Sequence, residues 1–203
     1  MSNAQEDTIQ PEIFAFTPEN AKAAKSVIAK YPTGWQESAV MPLLDLAQRQ
    51  HDGWLSRAAM ETVAGMLTMP PIRVYEVATF YTMYNLAPVG KHHVQVCTNL
   101  PCWLRGSEII FGACKKTLAI DMGMTTEDGL FTLSEAECLG ACANAPMMQI
   151  GDDYYEDLDS DSTRAVLEKL KAGDTPKPGS QTGRHTSEPA GGLTSLKNLE
   201  GGS

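Results

Sequence analysis

The sequence predicts an α/β domain, with helices on a small mixed sheet, preceded by a small helical bundle and followed by an extended tail. Three observations carry this reading. Up to about residue 90, apolar residues recur at helical spacing between short breaks. From Lys91 the period switches to strand-like alternation interleaved with two helical faces. From Gly173 the chain turns to glycine and proline and carries no aromatic residue.

Residues 1–16 form a polar arm, with Phe14 and Phe16 placed to pin its end to the helices. The bundle spans 17–90. Thr17-Pro18-Glu19 supplies an N-cap, a proline at the first helical position and an acid in the first turn. That helix runs to about Lys30 and stops at Tyr31-Pro32. A second starts near Ser38, with Val40, Leu43, Leu44 and Ala47 on one face, and ends before Asp52-Gly53. A third follows Ser56 and carries Ala59, Val63, Met66 and Leu67. A fourth opens at Pro70-Pro71 and presents Val74, Val77, Ala78, Tyr81 and Met83 as an apolar face. Four short helices with short connections read as a bundle.

The α/β domain spans 91–172. His93–Val96 alternates and leads as a strand into Cys97. Trp103–Ala119 has a helical apolar face of Ile110, Phe111, Cys114 and Leu118. Gly129–Leu133 is a second strand, and Met147–Ile150 and Tyr154–Glu156 are two more around a turn at Gly151-Asp152-Asp153. Asp161–Ala172 closes the domain as a helix. The order fits a domain of thioredoxin size. Residues 173–203 have seven Gly and three Pro among 31 residues. Such a stretch buries too little surface to offset its ordering entropy, so it reads as a disordered or extended tail. Its apolar anchors are Leu193, Leu196 and Leu199, and removing residues 176–203 is expected to leave the domain's chemistry in place, with any loss falling on assembly.

The formal net charge is −9 and the pI about 4.9, which argues against nucleic acid or an anionic membrane surface as partner. No apolar run approaches transmembrane length, and acids within the first 30 residues argue against a secretory or transit signal. No G-x-G-x-x-G or Walker loop is present, so the chain is not expected to bind a nucleotide alone.

The chemistry lies in four of the five cysteines. Cys97 and Cys102 are spaced C-x4-C, and after 35 residues Cys138 and Cys142 are spaced C-x3-C. Without an export signal, paired cysteines point to metal ligands or catalytic thiols rather than disulfides. Structural zinc draws on C-x2-C knuckles, and a thiol–disulfide redox pair needs C-x-x-C, and neither is present. A [2Fe–2S] cluster takes two thiolates on each iron. Two pairs supply this: Cys97 and Cys102 on one iron, Cys138 and Cys142 on the other. Gly140 lets the second loop turn, and Asn144 and Pro146 shape its exit. Arg105 follows the first pair, where it either favours a reduced cluster or sits at the surface. Cys114, on its helix's apolar face, reads as a small buried hydrophobe. Trp103 reads as a shield over the site or as core. His92 and His93, ahead of the first strand, read as structural, and the acids Asp152, Asp153, Glu156 and Asp157 as a turn and a solvated strand edge.

Pro71–Tyr81, Cys97–Cys102, Cys138–Pro146 and Asp152–Glu156, in this order, resemble the small [2Fe–2S] subunits of NADH:quinone oxidoreductase, respiratory complex I. The resemblance covers roughly residues 14–172. It implies a helical bundle joined to a thioredoxin-like ferredoxin domain, with one [2Fe–2S] cluster on Cys97, Cys102, Cys138 and Cys142. It implies a hetero-oligomer in which the chain docks on a flavoprotein subunit holding NADH and FMN, with the large iron–sulfur subunit nearby. It implies a peripheral place on the cytoplasmic face of a bacterial inner membrane, or the matrix face in a mitochondrion, with no catalytic residue in this chain itself. Two alternatives stay open: the equivalent subunit of an NAD-linked hydrogenase or formate dehydrogenase, and a structural zinc scaffold.

Overall fold

The computed structural model describes residues 10–192, 194 and 195, so Leu193, Leu196 and Leu199 lie outside the described residues. The chain divides after Val89 into two compact units.

The first unit is helical. Helix α1 (Pro18–Ile28) begins where Thr17 Oγ1 accepts a hydrogen bond from the Asn20 amide at 3.2 Å. A 3-10 turn at Gln36–Ala39 leads into α2 (Val40–Gln50). Helix α3 (Arg57–Leu67) is capped by Ser56, and α4 (Pro71–Phe80) starts at a proline. Leu43, Leu44, Ala47, Ala59, Val63, Val74 and Ala78 are buried together, and Phe14 and Phe16, edge to face with each other, pack against them. The end of α4 differs from the sequence reading. Tyr81 turns to an extended conformation (ψ 112°), so helical spacing no longer applies beyond Phe80. Tyr81 and Met83, assigned to the apolar face, are exposed, and Tyr84 is buried in their place. Its hydroxyl donates to the Met41 carbonyl at 2.9 Å.

The second unit holds β1 (His92–Cys97), α5 (Leu100–Leu104), α6 (Ser107–Leu118), β2 (Phe131–Ala136), β3 (Met148–Ile150), β4 (Asp153–Glu156), α7 (Ser160–Lys171) and β5 (Gly179–Ser180). The sheet runs β2-β1-β3-β4-β5, with β1 parallel to β2, β3 antiparallel to both β1 and β4, and β5 parallel to β4. Helix α6 packs on α7 and β1. Val94, Val96, Ile110, Phe131, Leu133, Met148, Tyr155, Val166 and Leu167 fill the core.

Two boundaries moved. The single helix expected from Trp103 is split, because Gly106 takes a left-handed conformation (φ +93°) that glycine alone adopts without strain. Strand β2 runs on to Ala136, where pairing with Gln95, Val96 and Cys97 overrides the polar Ser134-Glu135 sequence. The described part of the segment after α7, residues 172–192, runs as turns and coil, and β5 within it pairs with β4.

Cys114 is fully buried between Ile110 and Leu118, and burial pushes its thiol up to about 12. Cys114→Ser is expected to cost about 1–3 kcal/mol by burying a hydroxyl among apolar groups, and to leave iron content unchanged. Iron assay and thermal melting check this. The N-cap of α7 is Asp159, whose carboxylate accepts from the Ser162 amide at 2.7 Å while Ser162 Oγ accepts from the Asp159 amide. These bonds hold its carboxyl below the usual range. The stabilisation is present above the ordinary carboxylate pKa and is lost as pH falls through the depressed folded value. Asp159→Ala should destabilise the unit by about 1 kcal/mol at neutral pH, with the difference from the parent shrinking in acid. Chemical denaturation at two pH values measures it.

Candidate metal centre

Parallel pairing brings the two cysteine loops to one end of the sheet. Cys97 is the last residue of β1 and pairs with Ala136, the last residue of β2. The first loop leaves β1 after Cys97, and the second leaves β2 two residues before Cys138. Strand β3 runs antiparallel to β1, so the chain from Cys142 to Met147 enters at this same end. The Cys97 amide donates to the Met147 carbonyl at 3.2 Å, and the Thr98 amide to the Ala136 carbonyl at 3.2 Å. Ligands gather at the carboxyl ends of strands in open α/β sheets for this topological reason.

Asn99 caps α5, in which Cys102 is the third residue, and the turn returns Cys102 to Cys97. Both are almost fully buried and share an apolar pocket with Ala145 and Met147, edged by Leu139, Ala141 and Tyr154. Burial first, then the neighbouring Cys97, push the Cys102 thiol up to about 12, and Cys142 acts in the same direction. Cys138 and Cys142 are exposed. The structure therefore brings Cys97 and Cys102 together, sets Cys142 within their electrostatic reach, and leaves Cys138 on the surface of the second loop. Among the described residues, no three His, Cys, Asp or Glu side chains gather as a set able to hold one metal ion. A two-iron cluster makes a different demand, two thiolates per iron. The donor set fits that demand, since its first pair is preformed in a dry pocket and its second sits on a facing loop.

The second loop is held at several points. A short 3-10 turn spans Cys142–Asn144 and Gly140 has φ +78°. Tyr154 Oη donates to the Leu139 carbonyl at 2.8 Å. Arg105 Nε donates to the Ala145 carbonyl at 3.4 Å, so Arg105 touches this loop. Trp103 is exposed, with its indole N–H 3.3 Å from Glu108 Oε1, which removes it from the core. His93 bonds Ser134 Oγ at 2.7 Å and the His92 ring lies tilted beside Phe131 at 5.3 Å, and burial lowers the pKa of both. The acidic run is not all solvated. The Asp157 side chain is buried and paired with Arg184 at 2.6 Å, a contact that no local pattern announces. An arginine in a glycine-rich stretch, 27 residues from its partner, carries no periodic or motif signal.

Buried, adjacent thiols at the carboxyl end of an α/β sheet, with a second cysteine loop leaving the neighbouring strand at the same end, point to the class of thioredoxin-like α/β domains built around a cysteine site. The chain belongs to the thioredoxin-like [2Fe-2S] ferredoxin family, which it matches over residues 24–171, and its cofactor is one [2Fe–2S] cluster. It is 58% identical over 158 residues to a subunit of the NADH-quinone oxidoreductase of Rickettsia conorii, covering 78% of this chain and 95% of that one. It is 50% identical over 191 residues to the mitochondrial NADH dehydrogenase [ubiquinone] flavoprotein 2 of Dictyostelium discoideum, covering 94% of this chain and 77% of that one. Among solved structures, an air-oxidised NAD+-reducing [NiFe]-hydrogenase aligns with TM-score 0.57 at 20% identity, over 66% of this chain and 23% of that chain. That likeness shows the fold alone.

Proposed function

We propose that this chain is the electron-transfer subunit of an NADH:quinone oxidoreductase and exchanges single electrons with the flavin of an NADH-binding partner subunit. The observation that carries the reading is the meeting of two cysteine loops at the end of the β1–β2 pair, with Cys97 and Cys102 buried side by side. The relatives named as quinone-reductase subunits, at 50% identity or more over most of this chain, support it. Cys97, Cys102, Cys138 and Cys142 are the residues that would hold the cluster, the first pair from the β1 loop and the second from the β2 loop. When bound, a [2Fe–2S] cluster supplies one-electron chemistry. The chain's own residues do the rest. Met147 and Ala136 fix the backbone around Cys97, Tyr154 and Arg105 hold the second loop, and the apolar wall of Ala145 and Met147 keeps water from the first pair.

Leu100, Trp103, Leu104 and Ile109 are exposed around α5 and the start of α6, beside the first cysteine pair. Exposed apolar groups so close to a redox site suit docking of the flavoprotein that holds FMN and NADH, with the large iron–sulfur subunit completing the assembly. By likeness to those relatives the chain is a peripheral subunit, on the cytoplasmic face in a bacterium or the matrix face in a mitochondrion; among the described residues no helix is long and apolar enough to cross a membrane.

Electron paramagnetic resonance of the purified chain, with iron and sulfide assays, tests the reading. The expected result is a silent oxidised sample that gives a spin-half signal after dithionite, with two irons and two sulfides per chain. A colourless, zinc-loaded, sulfide-free chain would overturn it. Co-purification with a soluble nickel or molybdenum enzyme, instead of with membrane fragments, would move the same chemistry to a hydrogenase or formate dehydrogenase.

A further inference from the structure

The glycine-rich stretch after α7 grips the second cysteine loop. Strand β5 adds to β4, and the Gln181 amide continues the pairing by donating to the Glu156 carbonyl at 2.9 Å. Ser180 Oγ donates to Asp157 Oδ2 at 2.7 Å and accepts from the Arg184 amide at 3.2 Å. Arg184 then reaches back across the domain. Its Nη2 meets Asp157 Oδ1 at 2.6 Å, and its Nη1 donates to the Ala143 carbonyl at 2.8 Å and contacts Asn144 Oδ1 at 3.4 Å. Its Nε is buried without a hydrogen-bond partner among the described residues. Asn144 is caught from its other side, because its Nδ2 donates to both Glu156 Oε2 and the Thr186 carbonyl at 2.8 Å. The side chains of Arg184 and Asp157 are only 11% and 5% exposed. Burying such a pair costs desolvation free energy unless its hydrogen bonds are well made, and here they converge on residues 143 and 144. Those are the two residues after Cys142.

We propose that Arg184 is a positioning residue for the second cysteine loop: the strap from Gly179 to Glu188 fastens the backbone beyond Cys142 and so fixes how firmly that loop holds its iron. The proposal rests on Cys142 being a ligand. It runs against the expectation that removal of residues 176–203 leaves the cluster in place, with any loss falling on assembly. Because Arg184 and Asp157 carry opposite charges, removing either loosens the loop, while the two removals act oppositely on an anionic site. Loss of Arg184 leaves an uncompensated carboxylate, which disfavours the more negative reduced state. Loss of Asp157 leaves an uncompensated guanidinium, which favours it.

The test uses the full-length holo-protein with R184Q, R184K and D157N. Iron loss to a chelator should be about tenfold to a hundredfold faster in R184Q and D157N than in the parent, with faster amide exchange at Asn144 and Ala145. The midpoint potential should fall in R184Q and rise in D157N. R184K keeps the charge and should keep the parent potential, with iron loss between the two extremes. Should R184Q not fold, R184K and D157N decide by the same readouts. Parent-like iron retention and exchange, or potentials shifted the same way in R184Q and D157N, would overturn the positioning role. Full iron, sulfide and an unaltered spin signal in Cys142→Ser would instead overturn the ligand reading beneath it.

Discussion

Cys97→Ser and Cys142→Ser each cut bound iron and sulfide by about tenfold or more, and with them the reduced-state spin signal, whereas Cys114→Ser keeps all three. The expectation follows from ligand chemistry. A serine hydroxyl is a harder donor than a thiolate and gives up its proton far less readily. At position 97 the side chain is sealed in an apolar pocket, with its backbone tied to Met147, so no water or neighbouring ligand replaces it. At position 142 the side chain is exposed, so residual iron with a changed spin signal is more readily retained there than at 97. Iron and sulfide assays beside paramagnetic resonance check the series. A full complement of iron in Cys97→Ser would sink the assignment of the first pair.

Gly90→Ala destabilises the second unit by about 3 kcal/mol, at the upper end of ordinary overpacking. A Cβ on Gly90 would stand 2.7 Å from the Phe131 carbonyl carbon and 2.9 Å from the Phe131 and Thr132 amide nitrogens. These are backbone atoms, so no side-chain rotation relieves the clash. The start of β2 has to move away from the chain entering β1, and the bond from the Gly90 amide to Thr132 Oγ1, 2.6 Å long, goes with it. Since β1 and β2 together bring the two cysteine loops to one end, the same displacement should speed iron loss. Thermal melting of the iron-free chain isolates the stability effect, and a melting point within a degree or two of the parent would show that the strands absorb a methyl there.

Much of the fold was legible because it is written in local terms. The helix starts at Thr17 and Ser56 follow capping chemistry within three residues, and the period of Leu43, Leu44 and Ala47 is visible without any partner. The cysteine spacings disclosed two loops for the same reason. What stayed hidden depends on contacts distant in sequence. Tyr81 and Met83 keep an apolar character that fits a helix, and only the turn at Tyr81 takes them out of it. Gly106 reads as an ordinary glycine until its left-handed backbone splits α5 from α6. The gathering of both loops rests on the register of His92 with Phe131, which no spacing between cysteines encodes. Arg184 was the least visible of all, since its role exists only once β5 has docked on β4.

Parallel pairing also imposes a timetable on the newly made chain. Cys97 and Cys102 lie within one local turn and can meet as soon as β1 and α5 form. The second loop reaches them only after the long connection between β1 and β2 has closed, and closing such a connection is a slow step paid in chain entropy. The clasp on residues 143 and 144 comes later still, because residues 179–188 leave the ribosome after every strand they bind. Until those residues dock, β1 to β4 can pair while the second loop lacks its clasp. That interval suits delivery of iron and sulfide, and docking of the strap afterwards would close it.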